Sequence, residues 1–507
     1  MLTSFVGYDS ADVNELAARY FPWLETFSGF QGISIYSASS GETGGVVRPD
    51  LTVTNRARWM TEEVSELKSG IAKALLSAER TRPAIAMLYS QRSIHAAKML
   101  GWPALDNLTS ISEIIKDIGC QYDFISSEQL EQGVLSQRGY RLVVLPLAVC
   151  LSGTEVSALN AFVNSGGSLL AVGPCGVLDA NGRLSGGSLD VLFGGKSGAQ
   201  MPVPPVGGVG SWTTSDLSLA VSAADPELRA TDAARVQPFD EGTPVALLER
   251  TTGMGRATLL NFLLSGYRRF QPSGVAGETV DRVSADAQAA ESYQRLMARQ
   301  VQAAGIVPSV RLQSAADEPV RYCEIVEFSA GDIRYVGILP RYFGGRYSQS
   351  LAPTSVADQR TEQASAMLPE IGHLYDVRAR RYLGETDRID MALTTGIAQL
   401  YAVLPYRVRG VSVEAPAEAR VGRTLSVGVK VEAGNAHVGN HVVHIELTRE
   451  GEGAIKPYAR NVVTADGAGS VDFPLPLNAP AGRWLLTVTD VISGKVETRG
   501  VDVIGGA

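Results

Sequence analysis

Residues 141–183 decide the fold and read RLVVLPLAVCLSGTEVSALNAFVNSGGSLLAVGPCGVLDANGR. The run 140–149 is apolar on both faces, which is typical of strands buried inside a parallel sheet. A helix is predicted over 154–164 because the segment ends at a Gly-Gly pair, and the apolar run 168–173 predicts a second strand. Strand, helix and strand in this order predict two parallel strands joined by a helix.

The same alternation of strands and helices extends outward over residues 82–308. Further strands are predicted at 83–90 and 122–126, further helices at 93–100, 108–119 and 291–305, and a hairpin at 245–262 that turns at Gly253 and Gly255. Alternation at this spacing predicts a doubly wound parallel sheet with helices on its faces.

Residues 1–81 contain too few elements to fold alone. Apolar residues at helical spacing predict helices over 11–27 and over about 55–78, and one strand is predicted at 33–36. One strand cannot bury a sheet, so this segment is predicted to dock on something else.

The C-terminal half is predicted to be rich in strands. Residues 309–408 hold several alternating segments with turn residues between them, and residues 409–507 repeat short strands about every ten residues. The latter pattern is typical of an immunoglobulin-like β-sandwich. The sequence therefore predicts a multidomain α/β plus all-β fold with domains at 1–81, 82–308, 309–408 and 409–507.

Charge and cysteine content exclude several classes of function. The 507 residues include 45 Lys and Arg against 53 Asp and Glu, a net charge of −8, which does not favour nucleic acid or an anionic membrane as partner. The four cysteines are far apart and form no Cys-x-x-Cys motif, so neither a zinc knuckle nor a redox motif is expected. We expect no cofactor, no membrane span and, without a signal peptide, a cytoplasmic location.

Several segments resemble glycoside hydrolase family 42, the bacterial β-galactosidases. Residues 20–37 and 48–76 are similar to the last strand and final helix of its (β/α)8 barrel. Residues 141–183 and 253–262 resemble the β-galactosidase trimerisation domain, which is related to class I glutamine amidotransferases. The resemblance implies a C-terminal remnant of a barrel at 1–81, an amidotransferase-like trimerisation domain at 82–308, and a homo-oligomer, expected as a trimer.

The chain departs from this family at the catalytic pair. Family 42 barrels carry one catalytic glutamate after the fourth strand and one after the seventh, and this chain resembles only the end of the barrel. The resemblance therefore implies an assembly region that is inactive alone, with carbohydrate and the missing barrel portion as partners. The alternative is a non-catalytic carbohydrate-binding or scaffold protein, in which Trp484 and Tyr458 would form an aromatic platform.

Two residues are candidates for sugar contact. Glu42 follows the predicted last barrel strand, where barrel enzymes place substrate contacts, so it is interpreted as a hydroxyl acceptor or as a solvated loop carboxylate. Trp23 is interpreted as a stacking surface for a sugar ring or as a core residue beside Tyr20, Phe21 and Phe27.

The sequence disfavours two further sites, an amidotransferase triad and a metal site. An amidotransferase triad needs a cysteine on an open elbow and a histidine base. Cys150 is crowded by Val149 and Leu151, Cys175 follows the next strand, and His95 is the only histidine in 82–308. A metal ion shared by His437, His441 and His444 is also disfavoured, because the spacing of His441 and His444 on a strand places them on opposite faces unless a bulge intervenes.

Overall fold

Apolar strands that follow one another closely in sequence form the sheets of this protein, which we describe from a computed structural model. The structure describes residues 3–6, 15–35, 39–40, 44–199, 204, 210–233, 235–239, 244–270, 280–320, 323–341, 356, 361–451 and 458–505. Its contacts divide the chain into two units. The first combines Met1–Thr81 with Val310–Ala507, and the second is Arg82–Ser309.

The N-terminal part of the first unit is a β-α-β segment followed by a long, interrupted helix. Its elements are β1 Thr3–Val6, α1 Glu15–Phe27, β2 Gly32–Ile35, β3 Ser39–Ser40, β4 Gly44–Gly45, α2 Asn55–Glu66, a π-helical segment Leu67–Ile71, α3 Ala72–Ser77 and β5 Glu79–Arg80. Strands β1 and β2 pair in parallel. The prediction of a single strand was therefore wrong: β1 has only four residues, too few to show an alternating pattern.

The second unit has a mixed sheet with helices between its parallel strands. Its elements are β6 Ile85–Tyr89, α4 Gln91–Met99, α5 Ala104–Asp117, β7 Asp123–Ser126, α6 Ser127–Glu131, α7 Val134–Arg138, β8 Leu142–Pro146, α8 Gly153–Asn164, β9 Ser168–Val172, α9 Asp190–Phe193, β10 Gly195–Lys196, β11 Trp212–Thr213, β12 Ser218–Leu219, β13 Arg229–Ala230, β14 Arg235–Pro238, β15 Val245–Thr252, β16 Gly255–Leu260, a 3-10 helix Ser265–Phe270 and α10 Val280–Ala303.

The strand order of this sheet is β14-β15-β16-β9-β8-β6-β7. The pairs from β7 to β16 are parallel, and β15 and β14 add an antiparallel edge. Strand β8 is buried along its whole length, which explains its unbroken apolar sequence. Helix α8 starts at a capping box, in which the Ser152 hydroxyl accepts from the Glu155 N–H and the Glu155 carboxylate accepts from the Ser152 N–H.

The C-terminal part of the first unit is all β. Its strands are β17 Arg311–Ser314, β18 Cys323–Ala330, β19 Ile333–Pro340, β20 Thr361–Asp376, β21 Arg381–Thr394, β22 Gln399–Leu404, β23 Gly410–Glu414, β24 Glu418–Arg420, β25 Thr424–Glu432, β26 Val442–Arg449, β27 Ala459–Val463, β28 Ala468–Pro474, β29 Gly482–Asp490 and β30 Val496–Ile504.

These strands build three sheets. The first has the order β17-β20-β22-β19-β18-β5 with β21 paired to β20, and the other two are β23-β25-β28 and β24-β30-β29-β26-β27. The expected combination of an α/β part with a large β-rich part is confirmed. The four domain boundaries of the sequence analysis remain predictions.

A group of charged residues centred on the buried carboxylate of Glu63 joins α1 and α2 to the β-rich part of the first unit. The Arg378 guanidinium donates to Glu63 at 2.9 Å and to Glu66 at 2.6 and 2.8 Å, and lies 4.3 Å from the centre of the Trp23 ring. Arg19 donates to Glu63 from the other side at 2.9 Å. Burial opposes the charge of Arg378, but the hydrogen bonds and charges of Glu66 and Glu63 outweigh it and raise the pKa of the guanidinium.

Replacement of Arg378 should therefore destabilise the first unit. We expect R378M to lower the free energy of unfolding by about 3 kcal/mol, because it leaves the carboxylate of Glu63 buried without this counter-charge. The matched control is R388M, since Arg388 pairs with Asp390 on the surface and should contribute less than about 1 kcal/mol. Urea unfolding followed by tryptophan fluorescence measures both, and equal losses in the two variants would contradict the prediction.

Candidate functional site

The two sugar-contact candidates are placed differently. Trp23 is fully buried: its Nε1 donates to Glu63 at 2.7 Å, Arg378 lies over its ring, and Phe27 packs edge-on at 5.6 Å. Its neighbours therefore occupy the surfaces that a sugar would need, and its stacking role stays a prediction. Glu42 lies outside the described residues, so its role as hydroxyl acceptor also stays a prediction.

The carboxyl ends of β6 and β8 are where an open parallel sheet of this strand order would bind a ligand. The backbone turns there at Leu147, whose φ is 52° and whose side chain is 1 % exposed. A left-handed residue directly after a parallel strand has the backbone conformation of a nucleophile elbow. Here an apolar, buried leucine occupies the position, so this turn supplies no nucleophile.

Hydrogen bonds join the two sides of the crevice between the carboxyl ends of β6 and β8. Ser93, on α4 after β6, donates from its hydroxyl to the Cys150 carbonyl at 3.0 Å and accepts from the Cys150 N–H at 3.1 Å. Ser93 and Cys150 are both buried. Sequence reasoning considered Cys150 crowded by its neighbours and missed Ser93, because a contact over 57 residues leaves no local pattern in the sequence.

Cys120, Cys150 and Cys175 are not activated. All four cysteines, these three and Cys323, are buried. Burial raises the pKa of Cys150 to about 11 and that of Cys120 to about 12, and burial also raises the pKa of Cys175. At neutral pH these thiols remain protonated, and a protonated thiol is a poor nucleophile. His95 lies exposed on α4.

A cluster of polar residues beside this crevice forms hydrogen bonds at the N-terminus of α8. Glu155 is fully buried, with Oε2 2.7 Å from the Ser152 N–H and 3.4 Å from Arg92. The Ser152 hydroxyl also donates to Glu131 at 2.6 Å. The residues described by the structure contain no group of three or more His, Cys, Asp or Glu side chains placed to hold a metal ion. The cluster therefore fixes a helix end.

The three C-terminal histidines have separate environments. His441 is fully buried: its Nδ1 lies 2.7 Å from Asp490 and its Nε2 lies 3.0 Å from the Tyr406 hydroxyl. His444 contacts Asn461 at 2.6 Å instead, and His437 is exposed near Asp466. Burial works to raise the pKa of Asp490, but the charge of His441 and hydrogen bonds from His441 and Ser493 outweigh it, so the pKa is lowered.

Of the two residues predicted to form an aromatic platform, Trp484 lies in the core of the first unit and Tyr458 is partly buried against it. Trp484 is 1 % exposed, its Nε1 donates to the Pro480 carbonyl at 3.0 Å, and Tyr458 packs against it edge-on at 5.5 Å. A carbohydrate platform needs an exposed ring face, so this placement does not favour the platform interpretation.

Within the first unit, α2 and the π-helical segment line one wall of an open pocket of about 580 Å³, and strands β26 and β27 line the other. We call this cavity the α2 pocket. Its charged lining residues are Arg56, Lys68, Glu446 and Arg460, and His444, Asn461, Thr61, Ser65 and Ser69 are its polar ones. Sequence reasoning missed it because its walls are separated by about 380 residues.

The comparisons with known proteins agree with this fold. Residues 84–268 match the sequence model of the β-galactosidase trimerisation domain. None of the curated proteins matches the chain significantly. No helix among the residues described is both long and apolar enough to cross a membrane.

Solved structures of family 42 β-galactosidases share the fold. A catalytic mutant from G. stearothermophilus is 16% identical with a TM-score of 0.53, and the match covers 76% of this chain and 50% of that chain. The enzyme from Bacillus circulans sp. alkalophilus is 14% identical with a TM-score of 0.54 and coverages of 76% and 51%. That from Rahnella sp. R3 is 14% identical with a TM-score of 0.52 and coverages of 76% and 50%.

This chain spans about half the length of these β-galactosidases. At such identities the likeness shows the fold alone. Together with the match over 84–268, it confirms the predicted resemblance to a C-terminal portion of a family 42 protein. Residues 84–268 are thus similar to a glycoside-hydrolase-related assembly region.

The native thiols should be unreactive. We expect Cys120, Cys150 and Cys175 to resist iodoacetamide at pH 7.5 and to react in urea, because burial both shields them and disfavours the thiolate. Mass spectrometry of the alkylated chain measures this. The positive control is S157C, which adds a thiol at an exposed position of α8. If Cys150 reacts as fast as that reporter, the crevice is open.

The Asp490–His441 pair should make stability depend on pH. Since folding lowers the pKa of Asp490, its contribution is complete above the unfolded value of about 4 and is lost as the pH falls through the lower folded value. We expect D490N to cost about 3 kcal/mol at pH 7, with a smaller difference from wild type below about pH 4. Urea unfolding at these pH values measures the difference, and the control is D466N, which changes an exposed aspartate. A difference that does not shrink at the lower pH would contradict the prediction.

Proposed function

We propose that this chain is the C-terminal assembly region of a β-galactosidase-like glycoside hydrolase and that it is inactive alone. In this proposal residues 1–81 are the end of a (β/α)8 barrel. Residues 82–308 are an amidotransferase-like trimerisation domain, 309–408 a β-rich module and 409–507 an immunoglobulin-like sandwich. The domain assembles copies of the chain into a homo-oligomer, and we infer a trimer.

One observation supports inactivity above all. The described part of residues 1–81 contains two parallel strands, β1 and β2, whereas a retaining glycosidase holds two carboxyl groups about 5–5.5 Å apart on a rigid scaffold. Two strands cannot fix such a pair across a barrel mouth. At the switch point of the second unit, the buried Leu147 and the Ser93–Cys150 hydrogen bonds do not favour an amidotransferase-type site among the described residues.

The exposure of β2 supports a partner for the barrel segment. Ser34 and Ile35 are exposed, and β1 and β2 pair only with each other among the described residues. Parallel strands are normally covered on both faces and continued at their edges. We infer that further parallel strands, the missing portion of the barrel, pack here and supply the carboxylates and the carbohydrate site.

The alternative is a non-catalytic carbohydrate-binding or scaffold protein. Its aromatic platform would use Trp484 and Tyr458, and the burial of Trp484 gives that version no support.

The proposal predicts association without hydrolysis. We expect multi-angle light scattering of the purified chain to give a multiple of 53.8 kDa, with three copies as the inferred state. We expect no turnover of an aryl-galactoside, since the carboxylate pair has no scaffold. The variant measured beside the wild type is E42A, which removes the candidate sugar-contact carboxylate. A monomer at micromolar concentration would contradict the assembly role, and hydrolysis that persists in E42A would show that a catalytic pair lies elsewhere in the chain.

A further inference from the structure

The α2 pocket has one wall of consecutive helical turns. Arg56, Met60, Val64 and Lys68 recur every four residues and line it together. This spacing puts them on one face of α2 and its continuation. Arg56 is 5 % exposed although it lines the pocket. The helix face therefore offers a cation at either end with apolar side chains between them.

The opposite wall holds a chain of hydrogen bonds. His444 lies between Asn461, at 2.6 Å from Nδ1, and Glu446, at 3.3 Å from Nε2. Asn461 in turn donates from Nδ2 to the Lys68 carbonyl at 2.9 Å, which leaves its oxygen facing the histidine. Both walls are thus connected through Asn461, and Glu446 and His444 hold fixed positions at the pocket.

The backbone at Lys68 is irregular in a way that fits this connection. The π-helical segment includes Ser69 at ψ 15° and Gly70 at φ 118°. A Cβ at Gly70 would lie 2.3 Å from the Val491 side chain, so only glycine allows the helix to approach the sandwich here. The irregular turn frees the Lys68 carbonyl for Asn461. Such segments occur often at functional sites.

The charge of the lining is positive. Among the described residues, Arg56, Lys68 and Arg460 line the pocket with one carboxylate, Glu446. This balance contrasts with the net charge of −8 of the whole chain. Arginine and lysine side chains around a cavity recognise carboxylate or phosphate oxygens, while a histidine, an amide and a carboxylate bind hydroxyl groups.

We propose that the α2 pocket binds a small hydroxylated anion, an acidic sugar that carries a carboxylate or a phosphate. Lys68 and Arg460 would hold the anionic group, and the Glu446 carboxylate and the second N–H of the Asn461 amide, both positioned by His444, would hold hydroxyl groups. A volume of about 580 Å³ accommodates a ligand of this size. The preference for an anion is inferred from the charged residues that line the pocket. The choice of galacto-configured sugars as test ligands rests on the proposed function.

Calorimetric titration of the full chain tests this inference. The ligands are galacturonic acid, which carries a carboxylate, galactose 6-phosphate, which carries a phosphate, and galactose, which is uncharged. The variants are K68M and R460M. The control is K73M, which removes an exposed lysine on α3 that does not line the pocket. We expect at least one acidic sugar to bind, with galactose weaker by about tenfold or more.

We expect K68M and R460M each to weaken the acidic sugar by about tenfold and K73M to leave its affinity unchanged. Added salt should weaken binding to wild type. Equal affinities for galactose and the acidic sugars, wild-type affinity in both pocket variants, or no binding of either acid up to about 10 mM would overturn the proposal. Those results would leave the assembly role intact, since light scattering and galactoside turnover test that role separately.

Discussion

The first unit depends on the paired guanidinium of Arg378, which is only partly exposed to solvent. Arg378 lies on the Trp23 ring and donates to Glu63 and Glu66 on α2, so a residue after β20 holds two helices that precede it by more than 300 residues. A charge shielded from solvent is tolerated only with fixed counter-charges and hydrogen bonds. The described part of residues 1–81 includes the parallel pair β1 and β2, and this docking gives the segment an ordered place.

The second unit keeps the backbone of a catalytic turn without its chemistry. Leu147 has the left-handed conformation of an elbow residue, but its leucine side chain is buried, and Ser93 bridges the crevice to Cys150. A strained turn persists only when its surroundings hold it. Here the surroundings are apolar and closed, which is the environment of a packing site. Among the described residues, this turn therefore contributes packing and no nucleophile.

Sequence pattern predicts those parts of the structure whose signal is local. The apolar run of β8 and the Gly166-Gly167 end of α8 lie within one short stretch and predict a strand, a helix and their order. Strand β1 was missed because four residues show no period. The Arg378 cluster and the α2 pocket were missed because their residues come from distant segments, and no spacing rule relates them.

The histidines show how a correct local argument can still overlook a site. Alternation along a strand separates residues three apart, so His441 and His444 cannot share a ligand. In the structure His441 directly precedes β26 and is buried against Asp490, whereas His444 lies within β26 at the α2 pocket against Asn461. His441 therefore belongs to the core of the β-rich part, and His444 presents a polar group to a cavity whose other wall is the docked helix. Because α2 reaches that position through the Arg378 cluster, the geometry of the pocket and the stability of the unit depend on the same contacts.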